Sequence, residues 1–107
     1  MKDDILVQHI LECIELIEGY LKGKSKKDFL SSIQLQDSVI RRIEIIGEAS
    51  KNIFTSFKEE HKEISWKEIS GMRDILVHKY FGVDLDSTWK TVKIDLPYLN
   101  KNLISLR

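Results

Sequence analysis

Apolar residues recur every three or four positions along four stretches of the chain, which is the spacing of amphipathic α-helices. The stretches cover residues 3–22, 32–57, 66–81 and 84–106, and a short helical turn is expected at 28–30. The connections between them are short and polar, as in a bundle whose neighbouring helices run in opposite directions. We therefore predict an all-α fold, an antiparallel bundle of four to five helices.

Local signals mark where these helices begin and end. Gly23 suits the end of the first helix, and Asp84 or Asp86 can cap the start of the last one. Pro97 lies inside the last helix, where it has no backbone N–H to donate and crowds the carbonyl four residues earlier. We therefore expect a kink near Lys93.

Composition narrows the class of protein. The chain has 107 residues, which fits a single domain over 1–107, and its one cysteine excludes an internal disulfide. No apolar run is long enough to span a membrane and no apolar leader is seen, so we expect a cytoplasmic protein without a membrane partner. The 17 basic and 17 acidic residues balance, so a polyanion must be bound by a local patch.

The third apolar stretch contains an unusual group of polar residues. Five of them fall within eight positions of a core-facing pattern: Arg73, Asp74, His78, Lys79 and Tyr80. Polar groups on such a face are either buried and paired, as a network that ties helices together, or they form a functional site.

Helical geometry limits how these residues can act together. Arg73 and Tyr80 are seven residues apart and share a face, and Asp74 can reach His78 four residues later. Arg73 and His78 differ by about 140° around the axis and ~7.5 Å along it. For these two to meet on one substrate, the helix must loosen before Tyr80 or a second chain must complete the site.

The residues match a known motif. Arg73, His78 and Tyr80 form an R-x4-H-x-Y pattern, and the segments at 40–49 (IRRIEIIGEA) and 80–89 (YFGVDLDSTW) add to the likeness, as does the W-x5-M-R spacing that leads into Arg73. In these features the chain resembles the HEPN superfamily, specifically HepT-like toxins.

The resemblance implies a HEPN-like helical bundle that forms a homodimer, with two copies of the motif facing each other across a cleft. It implies a metal-independent endoribonuclease that needs no cofactor, the toxin of a type VII-like toxin-antitoxin system. The implied antitoxin is a cognate nucleotidyltransferase that adenylylates the motif tyrosine, here Tyr80. Its G-S-x-x-D signature is missing from this chain, which favours the toxin side. Wide apolar stripes at 35–57 and 89–106 also favour a dimer contact.

The residue types suit RNA cleavage on chemical grounds. RNA supplies its own nucleophile, the 2′-hydroxyl, so the protein has only to move protons and stabilise charge on phosphorus. His78 can transfer protons near neutral pH, and Arg73 offers a permanently charged fork for phosphate oxygens. The product would carry a 2′,3′-cyclic phosphate.

Two positions depart from the common form of the family. Asn often follows the motif arginine, whereas Asp74 stands here within reach of His78. We expect Asp74 to orient the imidazole and favour its protonated form. Lys79, where a small residue is common, restores a positive charge. An alternative function is a non-catalytic nucleotide- or RNA-binding regulatory partner of a nucleotidyltransferase.

Other polar and aromatic residues carry weaker signals. His9 and Cys13 are four apart, but two ligands do not make a zinc site, so we predict core packing. Trp66 and Trp89 are predicted to be core anchors rather than platforms for stacking bases. His61 lies in a charged segment and is predicted to be solvated.

One helical face carries several cations. Arg41 and Arg42, with Lys51 further along, could form a strip that contacts phosphates. The alternative, which we favour, is an exposed face neutralised by Glu44 and Glu48.

Overall fold

The computed structural model describes residues 2–71 and 84–106, which are helical apart from short connections. The helices are α1 (Lys2–Leu21), α2 (Lys26–Leu30), α3 (Ile33–Lys51), α4 (Thr55–Glu60), α5 (described over 66–71), α6 (Leu85–Lys90) and α7 (Leu96–Ile104). A π-helical turn, Thr91–Asp95, joins α6 to α7. Neither described range contains a strand, and the predicted all-α helical bundle is confirmed.

The core forms where α1 packs against both α3 and α7. Each helix contributes fully buried side chains at the predicted three- and four-residue spacing: Ile10, Ile14 and Ile17 from α1, Val39, Ile43 and Ile46 from α3, and Leu96, Leu99 and Leu103 from α7. Burying one side chain of this size stabilises a fold by ~1.5–3 kcal/mol. The apolar stripes read from the sequence are therefore the packed faces of the bundle.

The connection between α1 and α3 is built from local turn and cap chemistry. Gly23 has a φ of 74°, a left-handed conformation that glycine adopts without a steric penalty. Ser25 and Asp28 form a reciprocal capping box at the start of α2. The Ser25 backbone N–H donates to the Asp28 carboxylate and lowers the pKa of that carboxyl group. Phe29 is then buried, with its ring centroid 5.6 Å from that of Trp89.

The prediction of one helix over 32–57 is wrong at its C-terminal end. α3 stops at Lys51, three residues connect it to α4, and the side-chain amide of Asn52 donates to the Glu48 carbonyl. The backbone N–H of Phe54 donates instead to the Asp3 carboxylate, 3.0 Å away. A contact from the opposite end of the chain therefore takes the hydrogen bond that a continuous helix would have used.

The last helix departs from α geometry near Pro97, at the place where the sequence predicts a kink. Over Thr91–Asp95 the chain forms a π turn, and the N–H of Leu96 donates to the carbonyl of Thr91, five residues earlier. Widening a turn by one residue is a known way for a helix to accommodate a local disruption. The disruption centred on Lys93 is therefore present as a π turn.

Some large apolar side chains stay exposed in the described part of the chain. They lie on several helices: Ile5, Leu16, Leu30, Ile33, Phe54, Ile94, Tyr98 and Ile104. Among the helices within 2–71 and 84–106, none combines the length and the apolar character that crossing a bilayer requires.

Candidate active site

The residues predicted to form the site lie outside the described residues. The gap covers 72–83, and it contains the whole predicted set: Arg73, Asp74, His78, Lys79 and Tyr80. The described chain reaches this segment from two sides, through α5 at Gly71 and through the start of α6 at Asp84. The surroundings of the motif can therefore be built up from its flanks.

On the N-terminal side, α5 is anchored in the core at its first turn. It begins at Trp66, directly after the capping signal of Ser65. The Trp66 side chain is buried, its indole N–H donates to the His61 carbonyl at 3.0 Å, and the Phe57 ring packs at a centroid distance of 6.1 Å. Ile69 is buried one turn later. The helix that leads into the motif thus starts from a fixed position.

A second contact ties α5 to α3. The hydroxyl oxygens of Ser50 and Ser70 lie 3.2 Å apart, within hydrogen-bonding distance. Ser50 is completely buried near the end of α3, and Ser70 lies three residues before Arg73. The sequence gave no hint of this pair, because a serine on a helix carries no marker of its partner.

On the C-terminal side, Asp84 caps α6 as predicted. Its carboxylate accepts hydrogen bonds from the backbone N–H of Ser87 at 3.1 Å and from the Ser87 hydroxyl at 2.7 Å. The buried Thr88 hydroxyl donates to the Asp84 carbonyl at 3.0 Å. Lys26 of α2 also reaches Asp86, at 2.8 Å. The segment that carries the motif therefore leaves into a well-determined helix start.

A groove of about 330 Å³ runs between the start of α5 and the last helix. It is lined by apolar and acidic groups, among them Ile69, Glu68, Asp95 and the exposed ring of Tyr98, and it reaches Gly71 next to the motif segment. The described lining residues include no Lys or Arg. Attraction of a phosphate backbone would therefore have to come from the motif residues themselves.

The helical face with several cations is at least partly neutralised. Arg41 pairs with Glu44 at 3.5 Å on the exposed side of α3. Arg42 approaches the buried Cys13 thiol, and burial, opposed by this guanidinium, raises the pKa of that thiol. The ion pair of Arg41 agrees with the neutralised face that the sequence favoured.

Cys13 packs in the core as predicted, whereas His9 is exposed. Within the described residues, no group of three or more His, Cys, Asp or Glu side chains could hold a metal ion. His61 is partly buried rather than fully solvated, with its ring 4.6 Å from that of Phe57 and its Nδ1 atom 3.5 Å from Glu63.

Both tryptophans pack as predicted. Trp66 is buried, as described above. Trp89 is half-buried, with Phe29 on its ring and the Lys93 ammonium 4.7 Å from the ring centroid. Neither indole is free to serve as an open stacking platform.

An all-helical bundle with an R-x4-H-x-Y motif between its third and last long helical segments is the class that the fold and the sequence define. The model of the family described as Ribonuclease HepT-like matches residues 10–106. The chain belongs to this HepT-like family of HEPN-type proteins.

Relatives from archaea and bacteria match most of this chain. A Thermococcus cleftensis protein named ribonuclease HepT is 50% identical over 94% of this chain and 92% of its own length. A Caldanaerobacter subterraneus protein named as an RNase is 42% identical, covering 91% and 87% of the two chains. A Methanocaldococcus jannaschii protein, named as a gamma-glutamylcyclotransferase and RNase, is 56% identical over 95% of this chain.

The names of these three relatives present the RNase activity as an inference. This chain spans 46% of the Methanocaldococcus relative, about half of its length. No solved structure matches the chain.

Proposed function

We propose that this protein is the toxin of a type VII-like toxin-antitoxin system, an endoribonuclease that cuts RNA without a metal ion in the cytoplasm. The observation that carries the proposal is the R-x4-H-x-Y motif from Arg73 to Tyr80 in a member of the HepT-like ribonuclease family. The relatives named as RNases support the same class of reaction.

The chemistry uses the 2′-hydroxyl of RNA as the nucleophile. His78 accepts the proton of this hydroxyl, whose oxygen attacks the adjacent phosphorus while the bond from phosphorus to the 5′-oxygen breaks. The leaving oxygen takes a proton, so the products are a 2′,3′-cyclic phosphate and a 5′-hydroxyl. Arg73 binds the phosphate oxygens while negative charge grows on them.

The site is proposed to form between two copies of the chain. Arg73 and His78 are five residues apart, which on one straight helix separates them by about 140°. Pairing two subunits would let the arginine of one and the histidine of the other face the same phosphate. The exposed Ile94 and Tyr98 on the last helical segment support such a contact, since large apolar groups in solvent often mark an interface.

Two further motif residues are assigned supporting roles. Asp74, four residues before His78, would orient the imidazole and favour its protonated form. That carboxylate also opposes the attraction of phosphate by Arg73, and Lys79 would restore the positive charge. The pair would thus set the proton affinity of the histidine while leaving the net charge of the motif positive.

Tyr80 is proposed as the point of control. A nucleotidyltransferase antitoxin would transfer an adenylyl group from ATP to the phenol oxygen, with pyrophosphate as the leaving group. The new phosphodiester would place a negative charge and a nucleoside beside Arg73, where an RNA phosphate must bind. The modified toxin would then be inactive.

The test is to incubate the purified protein with RNA and EDTA and to analyse the new ends. Cleavage that leaves 2′,3′-cyclic phosphates is the expected result, and His78→Ala and Arg73→Ala should abolish it without a large change in melting temperature. His9→Ala, which removes an exposed histidine from α1, is the matched control and should cleave normally.

Two results would overturn this function. Cleavage by His78→Ala at the wild-type rate would remove the histidine from the mechanism. Binding of RNA or nucleotide by the wild type with no new ends would instead favour the alternative, a non-catalytic regulatory partner of a nucleotidyltransferase.

A further inference from the structure

A buried pair of hydroxyl groups joins α3 to the helix that leads into the motif. The Ser50 and Ser70 oxygens are 3.2 Å apart, and the Ser50 side chain is 0% exposed. Burying a hydroxyl is unfavourable unless it forms a hydrogen bond, so Ser50 depends on its partner in α5. An apolar pair would fill the same contact without this dependence.

The pair adds direction to a contact that is otherwise apolar. Trp66 and Ile69 hold α5 against the core mainly by burial, which tolerates small rotations and shifts of a helix. A hydrogen bond has a narrower geometry. Shifting α5 by one residue would turn Ser70 by about 100° around the helix axis and leave the Ser50 hydroxyl unpaired. One register of α5 on α3 is therefore favoured over its neighbours.

The position of Ser70 bears directly on the motif. Arg73 follows three residues later, so even a fully extended chain keeps their Cα atoms within about 11 Å. His78 comes five residues after Arg73 in the same segment. A displacement at Ser70 is thus transmitted to the residues assigned to proton transfer and phosphate binding.

We propose that Ser50 and Ser70 are positioning residues, which fix the register of α5 on α3 and so set where Arg73 and His78 meet the RNA. This inference rests on the proposed function for its catalytic consequence. Neither serine contacts the substrate in this account, and both act through the segment that follows Ser70.

The test compares single and double substitutions with a matched control. Ser70→Ala leaves the buried Ser50 hydroxyl unpaired, whereas the double variant Ser50→Ala with Ser70→Ala removes both hydroxyls. Ser70→Thr retains a hydroxyl and should rescue. The control is Ser38→Ala, since the Ser38 hydroxyl donates to the Gln34 carbonyl within α3.

The expected signature is a loss of rate rather than of folding. We expect the double variant to melt close to the wild type but to cleave RNA about tenfold more slowly or worse at saturating RNA, with a smaller change in KM. Ser70→Thr and Ser38→Ala should cleave at close to the wild-type rate. A double variant that melts normally and keeps the wild-type kcat would overturn the proposal.

A second readout separates this inference from the proposed function. The NMR signals of the His78 ring should shift in the double variant and stay in place in Ser38→Ala, whether or not the protein cleaves RNA. If the wild type fails to cleave, the proposed function fails, and the His78 signals still decide the positioning. Unchanged His78 signals in a folded double variant would overturn it.

Discussion

The carboxylate of Asp3 accepts a hydrogen bond from the backbone N–H of Phe54 at 3.0 Å, although 51 residues separate them in the chain. Asp3 is only 5% exposed, so this bond forms in a largely dry environment. The acidic side chain also lies in the first turn of α1, where a negative charge interacts favourably with the helix dipole. One carboxylate therefore joins the start of α1 to the connection between α3 and α4.

We predict that Asp3→Ala lowers the free energy of unfolding by about 1–3 kcal/mol, because it leaves the N–H of Phe54 without this acceptor. Asp3→Asn keeps an acceptor oxygen and should lose less. Urea denaturation measures both. Glu15→Gln removes an exposed charge from the same helix and should stay within about 0.5 kcal/mol of the wild type. Equal unfolding curves for Asp3→Ala and Glu15→Gln would contradict the assignment.

The Asp3 contact also shows which part of the fold was predictable. The apolar spacing predicted α1 at 3–22, and the helix runs from Lys2 to Leu21. The same spacing predicted one helix over 32–57, which instead breaks after Lys51. Periodicity records which side chains face the core, but Phe54 donates its N–H to a residue that is distant in sequence. Local pattern cannot reveal such a bond.

The candidate site divides in the same way. Arg73, His78 and Tyr80 were recognisable because their chemistry and spacing form a motif in the letters alone. Ser50 and Ser70 were not, since their importance comes from burial and from a distance of 3.2 Å between helices. Sequence patterns thus identify groups that could react, whereas coordinates are needed to find the residues that hold them in place.

The capping box of α2 should make stability depend on pH. Hydrogen bonding from Ser25 lowers the pKa of Asp28 in the folded state, so the folded chain favours the ionised carboxylate. This stabilisation is present above the pKa of the unfolded chain and is lost as pH falls through the lower, folded pKa. We predict that Asp28→Asn lowers the melting temperature at neutral pH and that the difference vanishes in acid.

Thermal unfolding at several pH values would measure the loss. Asp37→Asn, which removes an exposed carboxylate from α3, is the control and should change the melting temperature little. Because Phe29 in α2 packs on Trp89 in α6, fraying of α2 should also broaden the indole NMR signal of Trp89. A difference between wild type and Asp28→Asn that persists in acid would contradict the capping account.

The proposed pairing of Asp74 with His78 predicts a shift in titration. A nearby carboxylate favours the protonated imidazole, so Asp74→Asn should lower the pH at which the His78 ring loses its proton. NMR signals of the histidine ring, followed across a pH series, measure this directly. Asp86→Asn removes an exposed carboxylate from α6 and should leave His78 unaffected. Superimposable His78 titrations in wild type and Asp74→Asn would end the pairing.

Control by adenylylation predicts a modification at one tyrosine. Co-expression with a nucleotidyltransferase that carries the G-S-x-x-D signature should add adenylyl mass to the peptide containing Tyr80 and stop RNA cleavage. Tyr80→Phe should take no adenylyl group and should still cleave RNA in the presence of the partner, since phenylalanine has no nucleophilic oxygen. Tyr98→Phe is the matched control, because Tyr98 is 64% exposed and lies outside the motif. Adenylyl mass on the Tyr98 peptide, or full inhibition of Tyr80→Phe by the partner, would show that control does not act through Tyr80.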